Sequence, residues 1–179
     1  MISDLVRRVL GVFLRQRSLG VELLEVATGY LGMREESKNA GPVIDAWLRA
    51  VGATSPNNWC AASVAFWLRT ACRNLGVLMP IAGSKGAKAT MAQFIAAKRW
   101  MSVAEARKDP RKLRPGMVPV WHRGKPDAWT GHIGVLELVA DASAGLFYAI
   151  EGNSGDGTQV ARMARRLDDP NLLGFGWVD

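Results

Sequence analysis

The sequence contains few of the thiol and imidazole side chains that bind zinc or form disulfides. Among its 179 residues there are two cysteines, Cys60 and Cys72, and two histidines, His122 and His132. Both cysteines fall in one predicted helix, about 18 Å apart at ~1.5 Å per residue, whereas a disulfide needs Cα atoms within ~7 Å. We therefore expect no disulfide. We also expect no zinc site, because four thiol or imidazole ligands at zinc spacing are absent.

Long apolar runs are missing as well, and the N-terminal stretch does not have the pattern of a good signal peptide. No apolar run approaches the ~20 residues that span a bilayer. The apolar stretch at 9–14 is short, and Arg15 and Arg17 follow it where small residues would define a cleavage site. We expect a protein that is made in the cytoplasm without an ordinary signal peptide. The sequence does not indicate its oligomeric state.

The composition predicts a folded, basic, single-domain protein. Hydrophobic residues make up 49% and charged residues 22%, and the net charge is +7. This charge favours an anionic partner such as nucleic acid, an acidic membrane or an anionic cell wall, or it serves solubility alone. Much of it falls in one basic stretch: Lys98, Arg99, Arg107, Lys108, Arg111, Lys112, Arg114, Arg123 and Lys125.

Apolar residues at helical spacing dominate the first half of the chain. They predict helices at 5–14, 19–31, 43–51 and 60–76. Asn57 or Asn58 is the expected N-cap of the helix that begins at Cys60. Capping-box patterns at Thr90 and Ser102 predict two further helix starts.

The second half of the chain has the alternation of strands. It predicts strands at 117–121, 131–139 and 146–151, and one or two more within 160–178. Helices followed by strands predict an α+β domain with an antiparallel sheet. We expect residues 1–30 to form an N-terminal helical extension and residues 31–179 to form the core.

Cys60 is the candidate nucleophile. A thiolate at the start of a helix is stabilised by unpaired backbone N–H groups and by the helix dipole. Cys72, deep in the same predicted helix, is typical of a core residue. A cysteine nucleophile needs a base, and His132, in a strand with small neighbours, suits this role better than His122, which follows a strand in a basic loop.

A predicted hairpin supplies a partner for the imidazole. If Val139 pairs with Leu146, His132 lies opposite Asn153, and His132, Glu151 and Asn153 share one face of the sheet. A register that places Glu151 opposite His132 keeps them on one face too, whereas a slip by one residue does not. An acceptor there would fix the imidazole tautomer and stabilise its charged form.

The chain resembles the CHAP family, the cysteine- and histidine-dependent amidohydrolases and peptidases of the papain-like superfamily. The resemblance spans roughly residues 30 to 178. It is carried by Trp59-Cys60-Ala61 at a helix start, Pro115-Gly116 before a strand, Gly131-His132-Ile133-Gly134-Val135, and Glu151-Gly152-Asn153. It implies a papain-like fold and cleavage of bacterial peptidoglycan, as an N-acetylmuramoyl-L-alanine amidase or a peptide-bridge endopeptidase.

The resemblance also implies roles for single residues. Cys60 would be the nucleophile and His132 the general base and then acid, while Glu151 orients His132 and Asn153 is an auxiliary polar group. The Cys60 N–H, with the Asn58 amide, would form the oxyanion hole. Many members have an aspartate where this chain has Met117, and some have an Asp-rich calcium loop that is missing here, so we expect no metal and no cofactor.

Three tryptophans, Trp59, Trp121 and Trp129, are candidates to line a substrate groove.

A compact domain without a leader suits a phage endolysin or a wall-degrading effector delivered by another system. The alternatives are a basic nucleic-acid-binding protein, although no specific nucleic-acid motif is present, a papain-like acyltransferase, and an inactive wall-binding module.

Overall fold

The computed structural model describes residues 17–124 and 128–179, which form an α+β fold of helices and antiparallel sheets. The helix predicted at 5–14 lies outside these residues. The described helices are α1 (Leu19–Thr28), α2 (Pro42–Ala50), α3 (Cys60–Leu75), α4 (Ala87–Ala96) and α5 (Val103–Lys108). None of these helices is long and apolar enough to cross a membrane.

The strands form two antiparallel sheets. They are β1 (Trp100–Ser102), β2 (Val118–His122), β3 (Gly131–Ile133), β4 (Val135–Asp141), β5 (Leu146–Ser154), β6 (Gln159–Arg166) and β7 (Leu172–Gly176). One sheet has the order β1-β7-β2-β3 and the other the order β4-β5-β6. The prediction of one or two strands within 160–178 corresponds to two strands, β6 and β7.

An aromatic cluster joins the helices into the main core. Trp47 contacts Trp59 and Trp67 with ring centroids 5.6 and 5.7 Å apart, and Tyr30 packs on Trp47 at 5.1 Å. Leu23 of α1 is fully buried in the same core. The described part of the predicted N-terminal extension therefore packs within this core. A second cluster, which includes Trp121, fills the space between the sheets.

The predicted strand at 131–139 is two strands in different sheets. Residues before Gly134 pair with β2, so that His132 lies opposite Trp121, and residues after it pair with β5. Gly134 permits this change of sheet, because a Cβ there would lie 2.7 Å from Cγ of Glu151. The expectation that His132 lies opposite Asn153 or Glu151 in one hairpin was therefore wrong.

The hairpin register also differs from the simple prediction at its turn. Val139 pairs with Phe147 instead of Leu146, because irregularities interrupt β4. Further from the turn, Val135 pairs with Ile150, as the predicted register requires. Bulges of this kind add a residue to one strand and leave no periodic signal in the sequence.

The predicted helix caps have mixed outcomes. The N-cap of α3 is Trp59, without a side-chain cap bond, instead of Asn57 or Asn58. The Asn57 amide donates to the carbonyl of Thr54 (2.5 Å) and so closes the preceding turn. The capping box at Ser102 is confirmed at the start of α5.

The helix start predicted at Thr90 was wrong. The N-cap of α4 is Gly86, and Thr90 lies inside the helix, where its hydroxyl donates to the Gly86 carbonyl (3.1 Å). A hydroxyl can bond either a following N–H group or a carbonyl one turn earlier, and the sequence pattern does not distinguish these.

Candidate active site

The start of α3 lies directly against strand β5. Ser63, in the first turn, donates to the carbonyl of Cys60 (2.8 Å). A Cβ on Gly152 of β5 would overlap the Ser63 hydroxyl and lie 2.8 Å from the Trp59 ring. Because residue 152 is glycine, the helix packs closely enough to bring Cys60 to the strands that carry the polar groups.

His132 lies beside Cys60 and is almost fully buried. Its Nε2 atom is 2.7 Å from Oε2 of Glu151. Burial is the largest single influence on the pKa of His132 and lowers it, but the neighbouring Cys60 and Glu151 together raise that pKa above its ordinary 6.5. The thiol is thus close enough to act on the imidazole.

The contact with Glu151 assigns separate roles to the ring nitrogens. A carboxylate is an acceptor only, so the nitrogen that faces it, Nε2, carries a proton. The other nitrogen of His132, Nδ1, is buried and makes no hydrogen bond of normal geometry to any of the described residues. Nδ1 is therefore the atom available to exchange a proton with Cys60.

Glu151 is fully buried and accepts several hydrogen bonds. Besides His132, the Ser154 hydroxyl donates to Oε2 (3.0 Å), and Arg165 donates from Nε to Oε1 (2.7 Å) and from a terminal nitrogen to Oε2 (2.5 Å). Burial, the largest influence, raises the pKa of Glu151, but hydrogen bonds and charge from Arg165 and His132 outweigh it and lower that pKa. The site holds an ionised carboxylate.

Arg165 and Ser154 were not identified from the sequence. In the pairing of β5 with β6, Arg165 lies opposite Phe147, which is on the same strand face as Glu151. The guanidinium also lies over the Trp121 ring, 5.0 Å from its centroid. The only available signal was a cation in a strand after the predicted hairpin, and two exposed arginines of β6, Arg162 and Arg166, carry the same signal.

Asn153 does not face His132. Its backbone is left-handed (φ 54°), and its side-chain amide donates to Oδ1 of Asn39 and to the carbonyl of Gly157, both at 3.0 Å. These contacts tie the loop after β5 to the segment before α2. The expectation that Asn153 points the same way as His132 and Glu151 was wrong, because the left-handed residue interrupts the alternation of the strand.

No family model, curated protein or solved structure matches this chain. The resemblance to the CHAP family therefore stays a prediction. The function is inferred from the geometry of Cys60, His132 and Glu151.

A cleft of about 310 Å³ opens at Cys60. Asn58 and Trp129 line it, together with the basic residues Lys85 and Arg123. The backbone N–H of Cys60 donates to no acceptor in the described ranges 17–124 and 128–179. It is free to bind a carbonyl oxygen that enters the cleft.

The three candidate groove tryptophans have different positions. Trp129 is 77% exposed and lines the cleft. Trp59 is fully buried, and its indole N–H donates to Glu35 (3.0 Å). Trp121 is buried between Phe147 and the imidazole of His132. The prediction of a groove role was wrong for Trp59 and Trp121, because the helical core and the space between the sheets bury them.

The remaining candidates are His122 and the residues of the basic stretch. His122 ends β2, and its Nε2 is 2.8 Å from the carbonyl of Gly124, so it is held by its own loop. In the basic stretch, Arg123 lines the cleft, whereas Arg111 pairs with Asp109. Lys125 lies outside the described residues. Those residues contain no group of three or more His, Cys, Asp or Glu side chains that could hold a metal ion.

Proposed function

We propose that this protein is a cysteine-dependent amide hydrolase of papain-like type and that its substrate is bacterial peptidoglycan. One observation carries the proposal. A thiol at the start of helix α3 adjoins a buried imidazole whose other nitrogen bonds an ionised carboxylate. Nucleophile, base and orienting acceptor in this order are the arrangement of acyl-transfer enzymes.

The proposed reaction is acyl transfer through a thioester. Nδ1 of His132 takes the proton of Cys60, and the thiolate attacks the amide carbonyl in the cleft. The oxyanion accepts hydrogen bonds from the free backbone N–H of Cys60 and from the Asn58 amide. His132 then protonates the leaving amine, and water, activated by the same imidazole, hydrolyses the thioester and releases the acid.

The cleft supports an anionic substrate with extended, partly apolar groups. Trp129 offers an exposed ring for a sugar or a peptide side chain. Lys85 and Arg123 can pair with the carboxylates of stem peptides. The net charge of +7 favours association with an anionic wall. A phage endolysin or a delivered wall-degrading effector both fit these features.

The test is digestion of purified peptidoglycan, followed by mass spectrometry of the fragments. Cys60→Ala should lower release by at least about 10³-fold, because the nucleophile is lost. Cys72→Ala is the matched control: it removes a thiol from the same helix, away from the cleft, and should keep activity. New muramic-acid ends would identify an amidase, and cut peptides an endopeptidase.

The proposal would be refuted if the wild type released no fragments from peptidoglycan of several chemotypes. Equal release by wild type and Cys60→Ala would refute it as well. A nucleic-acid-binding protein would bind nucleic acid equally well with Cys60→Ala, and that binding would weaken steeply with salt. Only the net charge of +7 suggests that the protein binds nucleic acid.

A further inference from the structure

We propose that Arg165 is a positioning residue whose guanidinium holds the Glu151 carboxylate in the orientation and charge state that the imidazole of His132 requires. The catalytic consequence rests on the proposed function. The link between Arg165 and Cys60 reactivity can be measured without any wall substrate.

Glu151 needs compensation for its burial. The side chain is fully buried, and a carboxylate removed from water is strongly destabilised unless it is paired and hydrogen-bonded. Ser154 and a neutral imidazole each offer one hydrogen bond but no charge. Arg165 offers a full positive charge and two hydrogen bonds in the planar fork geometry that matches a carboxylate.

The same contacts fix the orientation of the carboxylate. Oε1 is bonded by Arg165, and Oε2 is shared among Arg165, Ser154 and His132. Rotation of the carboxylate would break the Arg165 fork. The guanidinium itself is held over the Trp121 ring, which also contacts the His132 ring at 5.9 Å between centroids. Trp121 therefore packs against both Arg165 and His132, the two residues that bond the Glu151 carboxylate from β6 and β3.

The charged groups around Glu151 come from each element packed on it. His132 approaches from β3 and Arg165 from β6, with the Cys60 thiol of α3 beyond the imidazole. The charge of Asp169 also acts on Arg165 and raises its pKa. When thiolate and imidazolium form, negative and positive charges alternate from Cys60 through His132 and Glu151 to Arg165. Removal of Arg165 leaves the buried carboxylate with too little positive charge.

The loss of Arg165 should therefore raise the pKa of Glu151, whose carboxylate the guanidinium now stabilises. The carboxyl would take up a proton at a higher pH and cease to stabilise the imidazolium. Cys60, which adjoins that imidazole, would then react with an electrophile only at higher pH.

The test is the rate of Cys60 alkylation by iodoacetamide against pH, read as modification of the Cys60 peptide by mass spectrometry. Arg165→Met should move the acid limb of this profile upward by about one pH unit or more. Arg165→Lys keeps the charge and should leave the limb within about half a unit. Arg165→Gln, also neutral, gives the same test if Arg165→Met does not fold.

Arg162→Met is the matched control. Arg162 lies on the same strand and makes the same two-bond contact to a carboxylate, that of Glu137, but its side chain is half exposed. Its loss should not move the acid limb. The proposal would be overturned if folded Arg165→Met, or folded Arg165→Gln, gave the same pH profile of Cys60 alkylation as Arg162→Met.

A Glu151→Gln background separates positioning from a general structural role. If Arg165 acts through Glu151, adding Arg165→Met to Glu151→Gln should cause no further shift. A shift as large as in the wild-type background would refute the inference. In wall digestion, Arg165→Met should lower kcat with little change in KM. If the wild type releases nothing from walls, the hydrolase proposal fails, while the alkylation profile still decides the role of Arg165.

Discussion

Cys60 and Cys72 show how position determines the properties of one residue type. Both are free, buried thiols of the same helix. Burial raises the pKa of Cys72, whose sulfur lies 3.8 Å from the carbonyl of Leu78. Cys60 lines the cleft and adjoins His132. The sequence distinguishes the two because Cys60 begins the predicted helix, whereas Cys72 lies deep within it.

At the same scale, Trp129 should act in substrate binding and not in folding. Trp129→Ala removes an exposed ring from the cleft, so we expect KM to rise about tenfold, in line with roughly 1 to 1.5 kcal/mol for an aromatic contact. The melting temperature should stay within about 1 °C, because exposed side chains contribute little to stability. Steady-state digestion and thermal unfolding measure the two quantities.

Leu78→Ala is the control for Trp129, since Leu78 is 94% exposed and does not line the cleft. It should change neither KM nor melting temperature. An unchanged KM for Trp129→Ala would remove Trp129 from the substrate site.

At the scale of elements, two glycines decide how α3 and the sheets meet. Gly134 lets the chain pass from one sheet to the other beside Glu151, and Gly152 lets α3 lie close to β5. The sequence indicated a hairpin and a Glu-Gly-Asn motif, but not these close approaches. A close approach depends on what lies on the other side of the glycine, which no local pattern records.

The packing at Gly152 gives a prediction for stability. Gly152→Ala would press a methyl group onto Ser63 and the Trp59 ring. We expect the free energy of unfolding to fall by about 1 to 3 kcal/mol, as for overpacking in a core. Adding Ser63→Ala should restore part of this loss, because it removes one of the overlapping atoms. Denaturant unfolding of the single and double variants measures the coupling.

Gly29→Ala is the matched control for Gly152. Gly29 has an ordinary helical φ, and a methyl group there would meet no atom closer than a carbonyl oxygen at 3.4 Å. This substitution should change stability by less than about 0.5 kcal/mol. Additive effects of Gly152→Ala and Ser63→Ala would show that the two residues are not in strained contact.

For the whole molecule, the buried pair of His132 and Glu151 links stability to pH. The pKa of Glu151 is lowered from 4.5, so its contribution is present above that pH and is lost as the pH falls through the folded-state value. The pKa of His132 is raised from 6.5, so its contribution is present below that pH and is lost as the pH rises through the folded-state value.

The stability difference between wild type and Glu151→Gln should therefore be greatest between pH 4.5 and 6.5. It should shrink as the pH falls below this window and as it rises above it. Denaturant unfolding of both proteins at a series of pH values measures the difference. A constant difference across the series would show that the pair does not titrate with folding.

The sequence by itself determined that the helices precede the strands, except for the unpredicted short strand β1, and that Cys60 lies at a helix start. Apolar periodicity and helix boundaries are local properties, and they persist in any tertiary setting. It also singled out His132, one of two histidines, for its place in a strand with small neighbours, and Glu151 through the predicted hairpin and the resemblance to the CHAP family.

Only the tertiary structure decided which sheet His132 joins, that Asn153 points away, and that Trp129 lines the cleft while Trp59 does not. It alone placed Arg165 on Glu151. These facts depend on bulges, on glycines that allow close packing, and on side chains that reach across strands. Such contacts join residues distant in sequence, and their energies depend on burial, which the linear pattern does not contain.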